Sequence, residues 1–464
     1  MESEIEHISS KLFDQKGFQK QVDIIINASE VAQYKIDYDA AHDDNVIRAI
    51  EIVEHFLRKK HRLCYGGQAI NAHLPDKYKF YNPENSIPDY DFFTPQQDKD
   101  IVMIVKDLKK AGFTEISARE GMHKGTVKIY VDYIPVADIT SIDPKLYRIL
   151  SKREFKTDGI SYLDANTLRM LMYLELSRPR GEVGRWSKVF ERLSLFNEFI
   201  SCKPCKISNK DEEFNIKHVQ FTINYIIKNK RIFAGADLLD FYHKTLHTKK
   251  VNTKWLISNK KPIIFFSNEF EKDSEILKSE FVLNKGKPIT IKSYVSGIEL
   301  TPPIKIICQG KKPLVFIINE TACHSYYNVP IMDGANIKIA SMDTLITLYF
   351  SLGLVSSNYF NIGSMECMAN KLVEISSKAR KHSDKFPLPF ISIKCIGYQP
   401  SFPSLIREKV KRLTEKKKHI KKLITIPKQT VKRSIKRSIK RSIKRSIKRS
   451  IKRSIKRSIK RSIK

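Results

Sequence analysis

Two aspartates one residue apart, a short way after a glycine pair, constrain this chain more than any other feature of its sequence. Gly66 and Gly67 follow the run "HRLCY", and Asp89 and Asp91 lie in "DYDFF". Side chains alternate faces along a strand, so a strand here places both carboxylates on one face, about 7 Å apart. Like charges this close repel each other unless a cation lies between them. The pattern predicts a site for a divalent cation, and Mg²⁺ prefers such oxygen ligands.

The glycine pair predicts a turn that binds phosphate. The segment "HRLCYGGQAINAHL" is typical of a short strand, a tight turn at Gly66 and Gly67, and a helix that starts near Gln68. Because glycine has no Cβ, backbone N–H groups and the positive end of the helix can approach a triphosphate closely. A phosphate-binding turn beside paired carboxylates indicates metal-assisted phosphoryl transfer.

A third carboxylate on a neighbouring strand would complete a two-metal site. The run "GTVKIYVDYIPVADIT" predicts one long strand that carries Asp132 and Asp138. Six residues of strand span about 20 Å, so only one of the two can reach the pair. We favour Asp132, which the pattern puts in mid-strand. Asp138 is the alternative metal ligand. It is less favoured because it follows Pro135 and could instead cap the next turn.

The order of strand-like and helical runs predicts an α/β (α+β) protein with more than one unit. A chain of 464 residues exceeds what a single core usually serves. Strands and helices alternate at first, then helices dominate, and then the alternation returns, which predicts two α/β modules rather than a bundle. The predicted units are an N-terminal segment (1–44), a catalytic core (45–150), a mainly helical segment (151–254), a second α/β module (255–405) and a basic, low-complexity tail (406–464).

Half of the net charge of +34 lies in a repeat at the end of the chain. From Lys432 the sequence is eight copies of Lys-Arg-Ser-Ile plus Lys464, with 17 positive charges. An isoleucine every fourth residue drifts by about 40° per repeat around a helix and makes no fixed apolar face. The composition predicts a solvated polycation that binds phosphate backbones; a harmless expansion of the gene is the alternative. The preceding stretch "REKVKRLTEKKKHIKKL" predicts a basic helix, with apolar residues near helical spacing at Val410, Leu413, Ile420 and Leu423.

The chain shows no apolar run of about 18 residues and no signal-like N-terminus, which predicts neither a membrane span nor secretion. Seven thinly spread cysteines predict no disulfide framework and a reducing compartment. Cys202 and Cys205 form a single CxxC, for which an ordinary loop is favoured over a zinc site. Asp98 and Asp100 are expected to cap the helix that follows "DYDFF".

A basic helix beyond the predicted core is a candidate for holding a triphosphate. In "RGEVGRWSKVFERL", Arg185, Lys188 and Arg192 fall on or near one helical face. We assign Lys188 to nucleotide binding together with Gly66, Gly67 and Gln68. The alternative is an ordinary basic helix face.

At "LCYGGQAI", "PDYDFF" and "YVDYIPVADIT" the sequence resembles the nucleotidyltransferase superfamily typified by DNA polymerase β. More narrowly, it resembles the poly(A) polymerase catalytic subunits of large cytoplasmic DNA viruses, of the mimivirus-like type related to the poxvirus enzymes. The resemblance is strong over 45–140 and looser to about residue 400. Gln68 stands where many members of the superfamily have serine.

This resemblance implies a polymerase β-like core with catalytic Asp89, Asp91 and Asp132, and a degenerate second transferase-like module after Trp255. It implies two Mg²⁺ or Mn²⁺ ions, ATP as substrate, and the 3′ end of viral mRNA as acceptor of AMP. It also implies a homodimer or a viral processivity partner, and a location in the virion and the viral factory of the host cytoplasm. Two rivals are a uridylyl- or CCA-adding enzyme of the same fold and a non-catalytic RNA-binding scaffold.

The repeat tail yields a first testable prediction. If Lys432–Lys464 binds RNA, truncation after Thr430 should leave a single nucleotide addition unchanged. The truncation should weaken RNA binding at low salt. It should also make the plot of log binding constant against log salt concentration shallower, by about 0.7 for each phosphate that the tail neutralises. Filter binding over a salt series measures both quantities. Equal affinity and slope in the truncated and full chains would contradict a role for the tail in RNA binding.

Overall fold

The computed structural model describes residues 15–81, 86–207, 213–256, 258, 260–282, 287–294, 300–331, 334–355 and 361–425. The chain divides into two compact units, Met1–Phe402 and Pro403–Lys464. The predicted repeat tail lies outside the described residues. The basic helix before it is confirmed as a helix, Phe402–Thr425. In the described part of the chain, no helix has the length and apolar character needed to cross a membrane.

A seven-stranded mixed sheet forms the first half of the large unit. Its spatial order is β3-β4-β5-β2-β1-β7-β6, with β1–β2, β3–β4, β4–β5 and β6–β7 antiparallel and β1–β7 and β2–β5 parallel. The strands are β1 Leu63–Tyr65, β2 Tyr90–Thr94, β3 Ile116–Glu120, β4 Thr126–Val131, β5 Ile134–Ser141, β6 Phe155–Thr157 and β7 Ile160–Tyr162.

The helix before β1 packs its apolar residues toward the sheet. In the helix before β1, the Asp43 side chain caps the N-terminus and Val46, Ile50 and Val53 are buried, while the last turn is basic, as the helix dipole favours. The helices are α1 Gln15–Ala41, α2 Asp44–Lys60, α3 Gly66–His73, α4 Gln97–Lys110, α5 Pro144–Ser151, α6 Ala165–Leu176 and α7 Trp186–Phe199.

An eight-stranded sheet forms the second half, in the order β10-β11-β12-β9-β8-β14-β13-β15. The strands are β8 Ile232–Phe233, β9 Ile263–Ser267, β10 Ile289–Tyr294, β11 Ile304–Gln309, β12 Lys312–Asn319, β13 His324–Pro330, β14 Asn336–Ala340 and β15 Cys395–Ile396. The helices are α8 Ile216–Lys228, α9 Asp237–Thr248, α10 Phe270–Val282, α11 Met342–Leu352, α12 Ile362–Lys381 and, in the small unit, α13 Phe402–Thr425.

The two sheets repeat one topology. The first seven strands of the second sheet match the first sheet in spatial order and in the direction of every pair: β12–β9 and β14–β8 are parallel, as β2–β5 and β1–β7 are. Even the register shift between β4 and β5 recurs between β11 and β12. The second module predicted from residue 255 is therefore present, but its sheet already includes β8, while β6 and β7 extend the first sheet beyond residue 150.

An equivalent buried arginine–aspartate ion pair lies at the same strand ends in each sheet. In the first, Arg62 makes two hydrogen bonds to Asp100, of 2.8 and 2.9 Å, and the Thr94 hydroxyl donates to the same carboxylate. The expected capping role of Asp100 is therefore wrong, because this side chain is buried against Arg62.

In the second sheet, Arg231 makes two hydrogen bonds to Asp273, of 2.8 and 3.1 Å, and the Ser267 hydroxyl donates to it. Arg231 precedes β8 as Arg62 precedes β1, and Ser267 ends β9 as Thr94 ends β2. A bidentate guanidinium–carboxylate pair demands one fixed geometry. Its recurrence at the same two strand ends fixes the alignment of the two sheets residue by residue.

The cysteines depart from the sequence-based expectation. The structure pairs Cys205 with Cys367 and Cys323 with Cys395, whereas Cys64, Cys202 and Cys308 are not in disulfide bonds. The partners are 162 and 72 residues apart in sequence. Pairing of this kind depends on the proximity of distant segments and cannot be read from spacing. Cys205 of the CxxC therefore bonds to Cys367 of α12, and Cys202 has no disulfide partner.

The disulfides make a second prediction. Protein purified without reductant and then unfolded in denaturant should react with a thiol reagent at the three cysteines outside the disulfides, and at all seven after reduction. Reduction should also lower the free energy of unfolding, by about 2–4 kcal/mol for each bond that closes a long loop. Seven reactive thiols in the unreduced protein would show that these bonds do not form.

Candidate active site

Adjacent strands bring three of the predicted carboxylates together. Asp91 lies on β2 and pairs in register with Asp138 on the parallel strand β5. Asp89 directly precedes β2 and is two residues from Asp91, so it projects to the same face. On the other side of β2, the partner of Asp91 is Tyr65, the last residue of β1. The carboxylates therefore lie together beside the end of β1, where α3 begins.

The expected position of Asp132 is wrong. The run 125–140 forms a hairpin of β4 and β5 rather than one strand, and Asp132 and Tyr133 are its two-residue turn. Both are exposed and have positive φ angles, 48° and 68°. Two-residue hairpin turns favour this left-handed conformation, which aspartate tolerates well. The turn places Asp132 away from the pair, and Asp138 takes the position next to Asp91.

Gly66 is needed because Asp91 approaches its backbone. Its φ is +74°, and a Cβ built on it would lie 2.3 Å from Oδ2 of Asp91. A residue with a side chain would be strained in this conformation and would also displace the carboxylate. The start of α3 at Gly66 and the aspartate pair are therefore one structural unit, in which the glycine makes room for the carboxylate.

Gly67 has a different neighbour. A Cβ there would lie 2.6 Å from the Tyr81 hydroxyl and 2.8 Å from Nη1 of Arg192. Arg192 donates a 2.8 Å hydrogen bond to Tyr81 and stacks over the Phe80 ring at 4.6 Å. The next residue, Gln68, has a buried Oε1 that lacks a hydrogen-bond partner within the described structure. The start of α3 thus lies against the Arg192 guanidinium of α7 and carries the unpaired side-chain oxygen of Gln68.

Burial and mutual repulsion raise the pKa values of Asp89 and Asp91. Burial raises the pKa of Asp91 to about 8, with further increases from the charges of Asp89 and Asp138. Desolvation also raises the pKa of Asp89, followed by the charge of Asp138. In the absence of another cation, the pair therefore favours its protonated form.

Lys128 is a functional candidate that the sequence reasoning missed. It lies on β4 opposite Asp138 and forms an ion pair with Oδ2 of that residue. Partial burial lowers the pKa of Lys128, but the hydrogen bond and charge of Asp138, with the charges of Asp89 and Asp91, raise it overall. A lysine in the otherwise apolar run "TVKIYV" is the signal that could have identified it.

The donor set fits divalent cations. Asp138 is buried, and its Oδ1 has no hydrogen-bond partner among the described residues. Asp89 and Asp91 have raised pKa values that a cation between them would lower. As they stand, no three His, Cys, Asp or Glu side chains in the described ranges are arranged as a metal site. Three carboxylates on neighbouring strands are nevertheless the ligand type that Mg²⁺ and Mn²⁺ prefer.

Basic residues from α7 and the turn before it lie over the same region. The charge of Asp89 acts on Lys188, although burial and the neighbouring Arg192 and Arg185 lower the Lys188 pKa overall. Arg185 in turn interacts with Asp91 and forms ion pairs with Glu175 and Glu182. The structure thus brings the predicted basic cluster and the carboxylates into one electrostatic environment.

Comparison with known proteins identifies relatives of this site. Residues 51–182 match the family model described as poly(A) polymerase catalytic subunit. African swine fever virus (isolate Tick/Malawi/Lil 20-1/1983) has a candidate poly(A) polymerase catalytic subunit that is 26% identical over 212 residues, 44% of this chain and 42% of that protein. The corresponding candidate protein of Acanthamoeba polyphaga mimivirus is 31% identical over 180 residues, 37% of this chain and 28% of that protein.

A solved structure extends the similarity to the whole fold. The crystal structure of the Megavirus polyadenylate synthase matches with a TM-score of 0.66 and 18% identity, over 88% of this chain and 84% of that one. The predicted mixed α/β fold and the predicted resemblance are confirmed. The sequence matches span less than half the length of the viral relatives named above.

The raised pKa of Asp91 makes a third prediction. An unfolded aspartate loses its proton near pH 4, at about 3.9, whereas Asp91 in the metal-free fold keeps its proton up to about pH 8. The folded state therefore binds the extra proton between these values, and the stability it contributes is lost as the pH rises through about 8. In EDTA, the melting temperature should fall between about pH 5 and about pH 8 and level off above that pH.

The variant Asp91→Asn should flatten this fall, because the amide does not ionise. Asp132→Asn, in the exposed turn, is the matched control and should keep the slope of the unmodified protein. A scan of melting temperature against pH makes the comparison. A slope that is unchanged in Asp91→Asn would contradict the raised pKa.

Proposed function

We propose that this chain is a template-independent nucleotidyltransferase that adds AMP from ATP to the 3′ end of RNA, and that it polyadenylates viral mRNA. The observation that carries this proposal is the cluster of Asp89, Asp91 and Asp138 on adjacent strands, held against the Gly66 turn. The family match over 51–182 includes all of these residues. The TM-score to a polyadenylate synthase supports the fold on which they lie.

In this proposal, Asp89, Asp91 and Asp138 hold two Mg²⁺ or Mn²⁺ ions. When bound, the ions supply activation of the 3′-hydroxyl and neutralisation of the leaving phosphates. The chain itself fixes the geometry: the β2–β5 register sets the separation of Asp91 and Asp138, and Gly66 lets Asp91 lie against the backbone. Lys128 balances the charge of Asp138 within the cluster.

The nucleotide would lie between the start of α3 and α7. In this proposal Gly67 and Gln68, at the start of α3, bound the nucleotide on one side, and Arg185, Lys188 and Arg192 supply positive charge from the other. Lys188 is the proposed triphosphate contact, because the pKa reduction by its basic neighbours would be relieved by a bound anion. The planar guanidinium of Arg192, stacked on Phe80, suits a fixed phosphate contact.

Two alternatives remain distinct from this proposal. An enzyme of the same fold could transfer UMP, or CMP and AMP, with the same carboxylates, since nothing in their geometry selects a base. A non-catalytic RNA-binding scaffold would have no need for three clustered carboxylates, which repel both one another and RNA. The cluster therefore favours an enzyme over a scaffold.

Location and assembly rest on the resemblance. The relatives come from large DNA viruses. Their source supports placing the protein in the virion and in the viral factory of the host cytoplasm. A homodimer or a viral processivity partner stays a prediction.

Extension of labelled RNA in separate reactions with ATP, UTP, CTP and GTP tests the proposed function. We expect long products with ATP in the presence of Mg²⁺ or Mn²⁺, and no extension in EDTA. Uridine addition, or addition limited to a few C and A residues, would identify the first alternative. No extension with any nucleotide, together with retained RNA binding, would identify the scaffold.

The third carboxylate is the subject of a fourth prediction. Asp138→Asn should reduce the rate of AMP addition by roughly 10²–10³-fold or more, the scale on which single electrostatic contacts to a transition state act. Asp132→Asn should keep nearly full activity, because its side chain is in the exposed β4–β5 turn. Single-turnover extension of labelled RNA measures both rates. Loss of activity in Asp132→Asn but not in Asp138→Asn would overturn the assignment.

A further inference from the structure

The second module contains a large cleft that the proposed chemistry does not use. Its volume is about 840 Å³. All of its lining residues lie between 205 and 378, outside the segment that matches the family model. Clefts of this size are common sites for ligands of nucleotide size or larger.

This cleft lies at the position that the carboxylate cluster occupies in the first module. Ile264 on β9 pairs with Phe316 on β12 in the same register in which Asp91 pairs with Asp138. Pro262 directly precedes β9, as Asp89 precedes β2. The three residues Pro262, Ile264 and Phe316 line the cleft, and we call them its floor.

The start of the helix after β8 corresponds to the start of α3 after β1. Gly235 and Ala236 follow β8 as Gly66 and Gly67 follow β1, and Ala236 lines the cleft. Where Lys128 lies opposite Asp138, Ile306 lies opposite Phe316. The second module therefore keeps the backbone frame of the first while every charged group of the catalytic cluster is replaced by an apolar one.

The rim of the cleft is basic. Five lysines line it against two carboxylates, Asp240 and Glu374. Lys261 pairs with Asp240 at 2.9 Å, whereas the structure shows no ion pair for the other four within its described ranges. The rim lysines are Lys206, Lys260, Lys261, Lys371 and Lys378.

The rim also offers surfaces for bases. The His243 and His247 rings lie on one face of α9, exposed, with centroids 4.5 Å apart. Met365 and Met368 of α12 also line the cleft. Flat rings and polarisable thioethers accept a base without selecting its identity.

We propose that this cleft binds a segment of single-stranded RNA without metal, with phosphates on the rim lysines and bases over the apolar floor. The proposal rests on RNA as the substrate of the proposed function. It gives the enzyme a second RNA contact, separate from the carboxylate cluster, and assigns a role to the module that lacks the catalytic residues.

The chemistry favours RNA over a free nucleotide. A nucleoside triphosphate is usually bound as a Mg²⁺ complex, for which carboxylates supply ligands, and the floor has none. Each phosphodiester of RNA carries one negative charge and is neutralised by a lysine alone. Lysines spread along an open rim therefore match a polymer better than a compact triphosphate.

The test is RNA binding by the full chain in EDTA and without ATP, so that catalysis plays no part. The variant carries Lys371→Glu and Lys378→Glu, both on α12. Fluorescence anisotropy with a labelled single-stranded RNA over a salt series should show affinity about tenfold lower at low salt. The log–log slope should be shallower by about 1.4, because two phosphates are no longer neutralised. Photocrosslinking with 4-thiouridine RNA should label the Met365–Met368 peptide in the unmodified protein and not in the variant.

The control variant carries Lys272→Glu and Lys278→Glu on α10, the same change in charge in the same module but outside the cleft. It should keep both the affinity and the crosslink, and equal melting curves would show that both variants fold. Unchanged RNA affinity in the α12 variant, or an equal reduction in both variants, would overturn the proposal.

A fluorescent ATP analogue provides a further arm in EDTA. Loss of analogue binding in the α12 variant, with RNA binding retained, would assign the cleft to free nucleotide and also overturn the RNA assignment. RNA binding is measured here without turnover. A negative result in the binding test would therefore not change the interpretation of the extension assay, and a negative extension assay would not change the interpretation of RNA binding.

Discussion

Repulsion among Asp89, Asp91 and Asp138 is the interaction on which the interpretation of this structure depends. The β2–β5 register forces two of these carboxylates to be neighbours, and the chain conformation before β2 adds the third. Folding alone does not relieve this repulsion, because Lys128 pairs with one oxygen of Asp138 and leaves the other without a hydrogen bond in the described structure. Such an arrangement is costly unless cations bind it, and it is therefore better explained by function than by stability.

The two modules share one backbone arrangement but differ in the side chains at the equivalent site. Both keep an arginine–aspartate pair at the same strand ends, so both need the same backbone geometry. Only the first keeps the carboxylates, whereas the second has Pro262, Ile264 and Phe316 at those positions. Apolar residues there remove the repulsion, and the position of the proposed metal site is occupied in the second module by an apolar floor with a basic rim. In the two proposals, one fold would therefore offer two kinds of site for phosphate-bearing ligands.

Sequence reasoning succeeded where the signal was local. The strand at Asp91 and the helix near the glycine pair follow from short-range patterns, and both are present, although the helix begins at Gly66 rather than near Gln68. It failed at Asp132, because a two-residue turn inside an alternating run leaves the period of hydrophobicity nearly intact. The pairing of Cys205 with Cys367 and the equivalence of Phe316 to Asp138 depend on tertiary contacts. Such contacts between distant segments leave no pattern in a single sequence.

The most direct test of this account is anomalous diffraction from crystals of the protein soaked in Mn²⁺. The account predicts manganese peaks between Asp89, Asp91 and Asp138 and no peak in the cleft floored by Ile264 and Phe316. The carboxylates supply the oxygen ligands that Mn²⁺ requires, and the apolar floor supplies none. A peak in the second cleft, or crystals with full Mn²⁺ exposure and no peak at the three carboxylates, would contradict the division of roles between the two modules.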